Sequence, residues 1–508
     1  MGGCGEGMTA PRSLWILFCA GINLILAQYW TMKEFLLVFE SSEVTILLVL
    51  VAFLACCSIG YALSPRIFRP NFPWICLVLV AGQVFFPWLI KELAALWYER
   101  AIPHMTFSLL AFGTLLMAPF STVFLPYLIG VREGTPGSGQ DETLAWCYAI
   151  ELGGALLGIA LILTIGRASF TALLILYFLN LSVMLAFLFD RQGLLYAGAP
   201  AALLYGFLYG PMDRAATVDF YKGRDGYAQV EVLASTQSIY NRIDVLLRDQ
   251  KEKLLLLNGR AYFDPLELEA FNRYLAGVPS SLMPGSRVLI VGTGSLSSVF
   301  HASRTARSVE SVEIDEQVVG LTRNLFREFN HLDQVKDWTF HIDDAKHFLG
   351  SSREQYDLIV IDLVPPVYVQ TALLYTREFY ELVKQRLTPR GVLAIYTGQW
   401  FGSPEMLRHR ASPEKTIDAV FPDYLVLNSQ AAENGFVYAS NALPFSKHDV
   451  VTLLDSWGTS EVDQVFEPAQ VRPLIQDKIV TSMDNLTIVL EWAPLTYRTF
   501  ASAFRITP

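Results

Sequence analysis

The chain has 508 residues, with 38 Lys/Arg, 48 Asp/Glu and 53% hydrophobic side chains. Residues 1–210 hold 9 basic and 11 acidic groups, and residues 211–508 hold 29 and 37. Such a composition excludes a disordered chain, a collagen-like repeat and a disulfide-stapled secreted scaffold. The second half is net acidic and has no basic run, which argues against a nucleic-acid partner.

The step in charge density places a boundary near Pro211. Three regions are expected: 1–210, a transmembrane domain of about seven helices; 211–283, a small β-strand region; and 284–508, a doubly wound α/β domain. All six cysteines precede residue 150, so the polar half has neither a disulfide framework nor a cysteine metal site.

Apolar stretches occur at 13–32, 43–63, 72–90, 105–130, 144–165, 169–189 and 194–210. Most reach the roughly 20 residues that carry a helix across about 30 Å of hydrocarbon. The last is short and rich in Gly and Ala, a thin span or an interfacial segment. Seven spans are expected, or six if that segment does not cross. Ser64-Pro65-Arg66, Pro103-His104 and Glu133-Gly134-Thr135-Pro136-Gly137-Ser138-Gly139 supply the breaks. Trp30, Trp74, Trp97, Tyr98 and Trp146 lie near span ends, as interfacial aromatics do. With seven spans, seven basic residues fall on the side of the C-terminal half and five on the other, which favours a cytoplasmic C-terminal half. Lys91 and Glu92 follow a full-length run and are expected at the interface. Glu151 lies deeper, where it lines a cavity or makes one interhelical hydrogen bond. It opens Glu151-Leu152-Gly153-Gly154-Ala155-Leu156-Leu157-Gly158, whose small residues suit close helix packing.

In the polar half, 227–233, 240–247 and 253–257 read as strands, and 265–276 as a helix. Then Arg287-Val288-Leu289-Ile290-Val291 forms a short buried strand. It runs into Gly292-Thr293-Gly294-Ser295-Leu296-Ser297-Ser298 and a helix. A second strand, 308–314, ends at Glu313-Ile314-Asp315, about 20 residues beyond the glycines. This order is the nucleoside-binding half of a doubly wound fold: Gly292 and Gly294 admit a ligand close to the backbone, and Glu313 accepts from the ribose hydroxyls. Strand 338–342 ends at Asp343-Asp344-Ala345, strand 356–361 at Asp362, and a helix 376–386 precedes strand 391–396. Glu313, Asp344 and Asp362 thus end three strands, and in an open parallel sheet they are expected to converge on one crevice. Asp362 is the candidate general base, beside Pro365-Pro366. The histidines show no metal-ligand spacing, and no metal is expected.

At these residues the sequence resembles the polyamine aminopropyltransferases, the spermidine synthase family, and in particular its membrane-fused bacterial branch. Ser238-Ile239-Tyr240, Leu256-Leu257-Asn258-Gly259, the Gly292 turn, Val312-Glu313-Ile314-Asp315, Asp343-Asp344-Ala345, the run from Tyr356 to Asp362, and Leu374-Tyr375-Thr376-Arg377-Glu378-Phe379-Tyr380 carry the resemblance. Phe39-Glu40-Ser41-Ser42 and Glu151-Leu152-Gly153-Gly154-Ala155-Leu156 extend it loosely into the apolar half. The resemblance implies a Rossmann-like domain of the S-adenosylmethionine-methyltransferase type, an integral bacterial inner-membrane location and a homodimer. It implies decarboxylated S-adenosylmethionine as donor, an amine such as putrescine as acceptor, and no covalent cofactor. Glu313 would hold the ribose, Asp344 and Ala345 the adenine, and Asp362 would take the amine proton.

Several positions depart from the family pattern. Ser295 stands where an acid would hold the aminopropyl amine, and Pro365 where a second Asp is usual. Phe271-Asn272-Arg273 replaces Tyr-His-Glu. Beside Tyr240 on the amine side, Asn241 and Tyr262 each replace a Gln. Three readings follow: an aminopropyltransferase with an altered amine site, an S-adenosylmethionine-dependent methyltransferase, and a non-catalytic nucleoside-binding membrane partner.

Overall fold

The computed structural model describes residues 10–39, 43–67, 72–100, 105–122, 124–126, 140–263, 265–363, 366, 368–398, 412–429, 432, 434–459, 463–489 and 491. Glu40-Ser41-Ser42, Pro103-His104, the loop 133–139, Pro365, and the side chains of Trp74 and Tyr262 lie outside them. The chain forms two compact units: 1–251 with 256–260 and 500–508, and 252–255 with 261–499.

The first unit begins with seven helices that coincide with the seven apolar stretches. They are α1 (Ala10–Val38), α2 (Glu43–Ile67), α3 (Phe72–Arg100), α4 (Met105–Thr122), α5 (Gln140–Leu161), α6 (Phe170–Phe189) and α7 (Gly193–Asp225). Among the described residues, six are long and apolar enough to cross a membrane, and α4 contributes a shorter apolar segment, Ser108–Ala118. The glycines of α5 bring backbones together. A Cβ on Gly154 would sit 2.0 Å from the Phe18 carbonyl oxygen, and one on Gly21 of α1 would sit 2.0 Å from that of Glu151. Only glycine allows this approach, the role expected of the small residues around Glu151.

Two expectations are corrected in this unit. The segment from 194 is not a thin span ending at Pro211. Helix α7 runs 33 residues, straight through Pro200 and Pro211, and stops at Gly226, whose left-handed φ of 68° caps it. The boundary placed near Pro211 therefore falls inside a helix. Lys91 is also not interfacial. It is fully buried, paired with Glu34 of α1 at 3.3 Å and with Asp213 of α7. Two carboxylates brought by other helices allow the ammonium to stay inside.

After α7 come β1 (Val230–Gln237) and β2 (Arg242–Arg248), which pair antiparallel, then β3 (Glu252–Leu257) and β4 (Arg260–Phe263), in the sheet order β1-β2-β3-β4. Strand β4 was not anticipated. The division between the units falls within β3.

The second unit is built on an eight-stranded sheet. Its strands are β5 (Arg287–Val291), β6 (Ser308–Glu313), β7 (Trp338–Ile342), β8 (Tyr356–Ile361), β9 (Leu387–Gly398), β10 (Asp423–Ser429), β11 (Asn434–Ser440) and β12 (Gln464–Phe466). The order is β12-β10-β11-β9-β8-β5-β6-β7. Strands β5 to β9 are mutually parallel, and β10 to β12 close one edge antiparallel. The central strands read as unbroken apolar runs because both faces are covered. Leu289, Val291, Ile359 and Ile361 pack into one core, and Val288, Ile290, Leu358 and Val360 into the other. The helix expected over 265–276 is α8 (Pro265–Asn272). It continues as a π-helical turn, Arg273–Gly277, so Arg273 sits on a widened turn rather than on a regular helix face.

Candidate active site

The sheet reverses its order at β5, whose neighbours are β6 and β8. Ligands of open α/β sheets bind at such a reversal, outside the carboxyl ends of the strands. Three segments emerge there: the Gly292 turn, Glu313 and Asp362.

Gly292 leaves β5 with φ 79°, and its N–H donates to the Val312 carbonyl at 2.9 Å. A Cβ there would meet Leu363 Cδ2 at 2.2 Å and the Asp362 carbonyl oxygen at 2.6 Å, so glycine is required twice over. Four residues on, Leu296 holds φ 64°, left-handed for a residue with a side chain. Its side chain is fully buried in the core, which sustains that backbone. Ser295 is buried, and its hydroxyl accepts from the Ser297 N–H at 3.3 Å at the start of α9 (Ser297–Ser303).

Glu313 folds back over this turn. One carboxylate oxygen accepts from the Thr293 N–H at 3.1 Å, and the other from Ile314 and Asp315 at 2.8 and 3.1 Å. Burial pushes its carboxyl up to about 7, against the pull of those three donors. Asp362 is anchored by its own N–H, which donates to the Val291 carbonyl at 2.8 Å. Burial pushes its carboxyl up to about 7 as well, and the charge of Glu313 adds to the rise. The Ser298 hydroxyl is near enough to oppose that rise but falls short of hydrogen-bond geometry. Ser298 Oγ, Asp362 Oδ2 and Thr293 Oγ1 are all buried without a hydrogen-bond partner. Buried polar atoms left open this way are what a site keeps for a ligand.

Glu313 and Asp362 lie within electrostatic reach of one another, whereas Asp344 is exposed and caps α11 (Ala345–Ser351), accepting from Lys346 and His347 at 2.9 and 3.0 Å. Asp315 likewise caps α10 (Glu316–Leu325). Ala345 follows its cap as the first residue of α11. Tyr240 and Asn241 belong to the first unit, in the turn between β1 and β2. The Ser238 hydroxyl accepts both their N–H groups, and Asn241 Oδ1 accepts from Asn258. Glu151 is buried in α5 with one oxygen unpartnered.

Sequence reasoning missed Glu414 in α12 (Ser412–Val420). It is fully buried, with both carboxyl oxygens unpartnered, and burial raises it to about 8. Its one signal is Ser412-Pro413-Glu414, a helix-start pattern in which a first-turn Glu is ordinarily exposed.

Residues 268–445 match the spermine/spermidine synthase domain family. The chain carries a spermidine synthase-like domain. A polyamine aminopropyltransferase of Lachnospira eligens is 33% identical over 174 residues, which is 33% of this chain and 60% of that one. Polyamine aminopropyltransferase 1 of Streptomyces coelicolor is 26% identical over 384 residues, 72% of this chain and 70% of that one. That match is longer than the polar half, so it reaches back into the helical half. Among solved structures, a spermidine synthase from Thermotoga maritima aligns at 19% identity and TM-score 0.38, covering 54% of this chain and 88% of that one.

Proposed function

We propose that this spermidine synthase-like chain transfers an aminopropyl group from decarboxylated S-adenosylmethionine to an amine such as putrescine. The observation that carries the reading is the Glu313–Asp362 pair at the order reversal of the sheet, with one Asp362 oxygen buried and open. Glu313 holds the ribose hydroxyls beside the Gly292 turn. The amine nitrogen attacks the carbon next to the sulfonium, the C–S bond breaks, and methylthioadenosine leaves. The proton lost by the amine passes to Asp362. A base poised near neutral pH suits that transfer. Ser295 leaves the aminopropyl end without its usual acid, which is the altered part of the site. The same uncharged position also favours a second reading, methyl transfer from S-adenosylmethionine. Helices α1 to α7 hold the chain in a bacterial inner membrane with the α/β unit cytoplasmic, and two copies form the dimer usual in the family.

The test is incubation of the full chain in detergent with either donor and a panel of amines, with products read by mass spectrometry. Methylthioadenosine that disappears in Asp362→Asn supports the proposal. S-adenosylhomocysteine instead supports methyl transfer. Donor binding with neither product overturns both and leaves a nucleoside-binding partner.

A further inference from the structure

Asp362 has a neighbour that the transferase reading does not use. Ser298 is the second residue of α9 and is fully buried. A serine or threonine inside a helix commonly donates to the carbonyl four residues back, as Thr322 does to Val318 at 3.0 Å. Four residues before Ser298 is Gly294, in the turn that precedes the helix. The Ser298 hydroxyl has no acceptor there or elsewhere among the described residues. The side chain it approaches is Asp362, without completing hydrogen-bond geometry, and the Asp362 Oδ2 is likewise buried and lacks a donor. The backbones on both sides are pinned. A Cβ on Gly292 would sit 2.6 Å from the Asp362 carbonyl oxygen, and the Asp362 N–H donates to Val291 at 2.8 Å. The hydroxyl hydrogen, by contrast, is free to rotate.

Two titratable groups lie within electrostatic reach of Asp362. Glu313, at the end of β6, is an acid, and its charge pushes the Asp362 carboxyl up. Tyr375 is fully buried, and its hydroxyl donates to the Tyr396 carbonyl at 3.1 Å. Neither gives the ionised carboxylate a hydrogen bond. A base must nevertheless be ionised before it can take a proton. Burial favours the neutral carboxyl, and a hydroxyl that donates to the carboxylate favours the charged one.

We propose that Ser298 is a positioning residue for Asp362: its hydroxyl turns to Oδ2 when the carboxyl ionises, holds the carboxylate in place and leaves Oδ1 to the acceptor amine. The contact is independent of any turnover, whereas its use rests on the reading of Asp362 as the base.

The test compares the full chain in detergent as wild type, Ser298→Ala and Ser298→Thr, with two readouts. The first is the pH profile of methylthioadenosine release. Ser298→Ala is expected to move its lower limb up by at least about one pH unit, as loss of a hydrogen bond to a charged group does. Turnover on the upper plateau changes less, and Ser298→Thr, which keeps the hydroxyl, restores the wild-type limb. Should the added methyl not fit, Ser298→Cys, a weak donor, is expected to fall between alanine and serine. The second readout is infrared titration of the ligand-free protein, in which the protonated Asp362 carboxyl is the band missing from Asp362→Asn. That band is expected to persist to a pH about one unit higher in Ser298→Ala. A hydroxyl that only fills space would leave both pH values unchanged. A band that does not move overturns the proposal, and a band that moves without the limb overturns the positioning role. If no methylthioadenosine is released at all, the transferase reading fails by itself, and the band alone decides whether Ser298 holds Asp362.

Discussion

The two units bury charge in opposite ways. In the helical unit and its hairpin, Asp213, Asp244, Lys91 and Arg242 neutralise one another, and their hydrogen bonds are largely filled. In the α/β unit, Asp362 and Glu414 are buried with no cation beside them among the described residues, and their carboxyls rise to about 7 and about 8. The first arrangement holds a structure together. The second keeps protons and open oxygens available, at a cost in stability. Substitutions can break that contrast in either direction.

The largest effect is expected where pairing is removed. Arg242→Ala strands Asp213 and Asp244 and should cost about 3–5 kcal/mol, as breaking a buried ion pair does. The readout is loss of the melting transition in detergent, and a melting point within a degree of wild type would contradict the architectural assignment. Next comes Asp362→Asn. Turnover should fall by about 10²–10⁴-fold while donor affinity changes little and the melting point at pH 8 holds or rises. Glu313→Ala should weaken the donor at least about tenfold, as loss of a charged hydrogen-bonding group does. It also leaves the Thr293 N–H without its acceptor. Calorimetry with methylthioadenosine checks this.

The last effect is the pH dependence of stability. The folded Asp362 and Glu414 keep their protons to about 7 and about 8, above the ordinary 3.8 and 4.5. Between those limits the unfolded chain binds fewer protons than the folded one, so stability falls as pH rises through the window. The ligand-free melting point should therefore be lower at pH 8 than at pH 5, and Glu414→Gln should flatten the slope. A melting point that climbs over this range would show that both carboxyls ionise freely.

Much of the α/β unit was legible because its strands are buried on both faces. The runs at 287–291, 338–342 and 356–361 match β5, β7 and β8 residue for residue. Glu313 and Asp362 were legible because a strand end and a glycine turn fix where they point. Asp344 is both an acid at a strand end and an acid before a helix, and the helix uses it as its cap. The charge cluster was not legible. Lys91 and Asp213 lie 122 positions apart, and Asp213 and Arg242 lie 29 apart, so no local pattern joins them. Pro211 misled for another reason. A proline usually stops or kinks a helix by removing one hydrogen bond and crowding the preceding turn, yet α7 continues as helix to Asp225.

That continuity has a consequence for phase. Helix α7 turns about 100° with each residue, and Asp213 and Thr217, one turn apart, both meet Arg242. A single residue inserted near Leu208 would turn Asp213, with Thr217 and Arg242 that follow it in the chain, away from Lys91. Four residues would bring them nearly back into phase, one turn further along. Within the first unit the charge cluster thus fixes the rotational phase of α7 against α3.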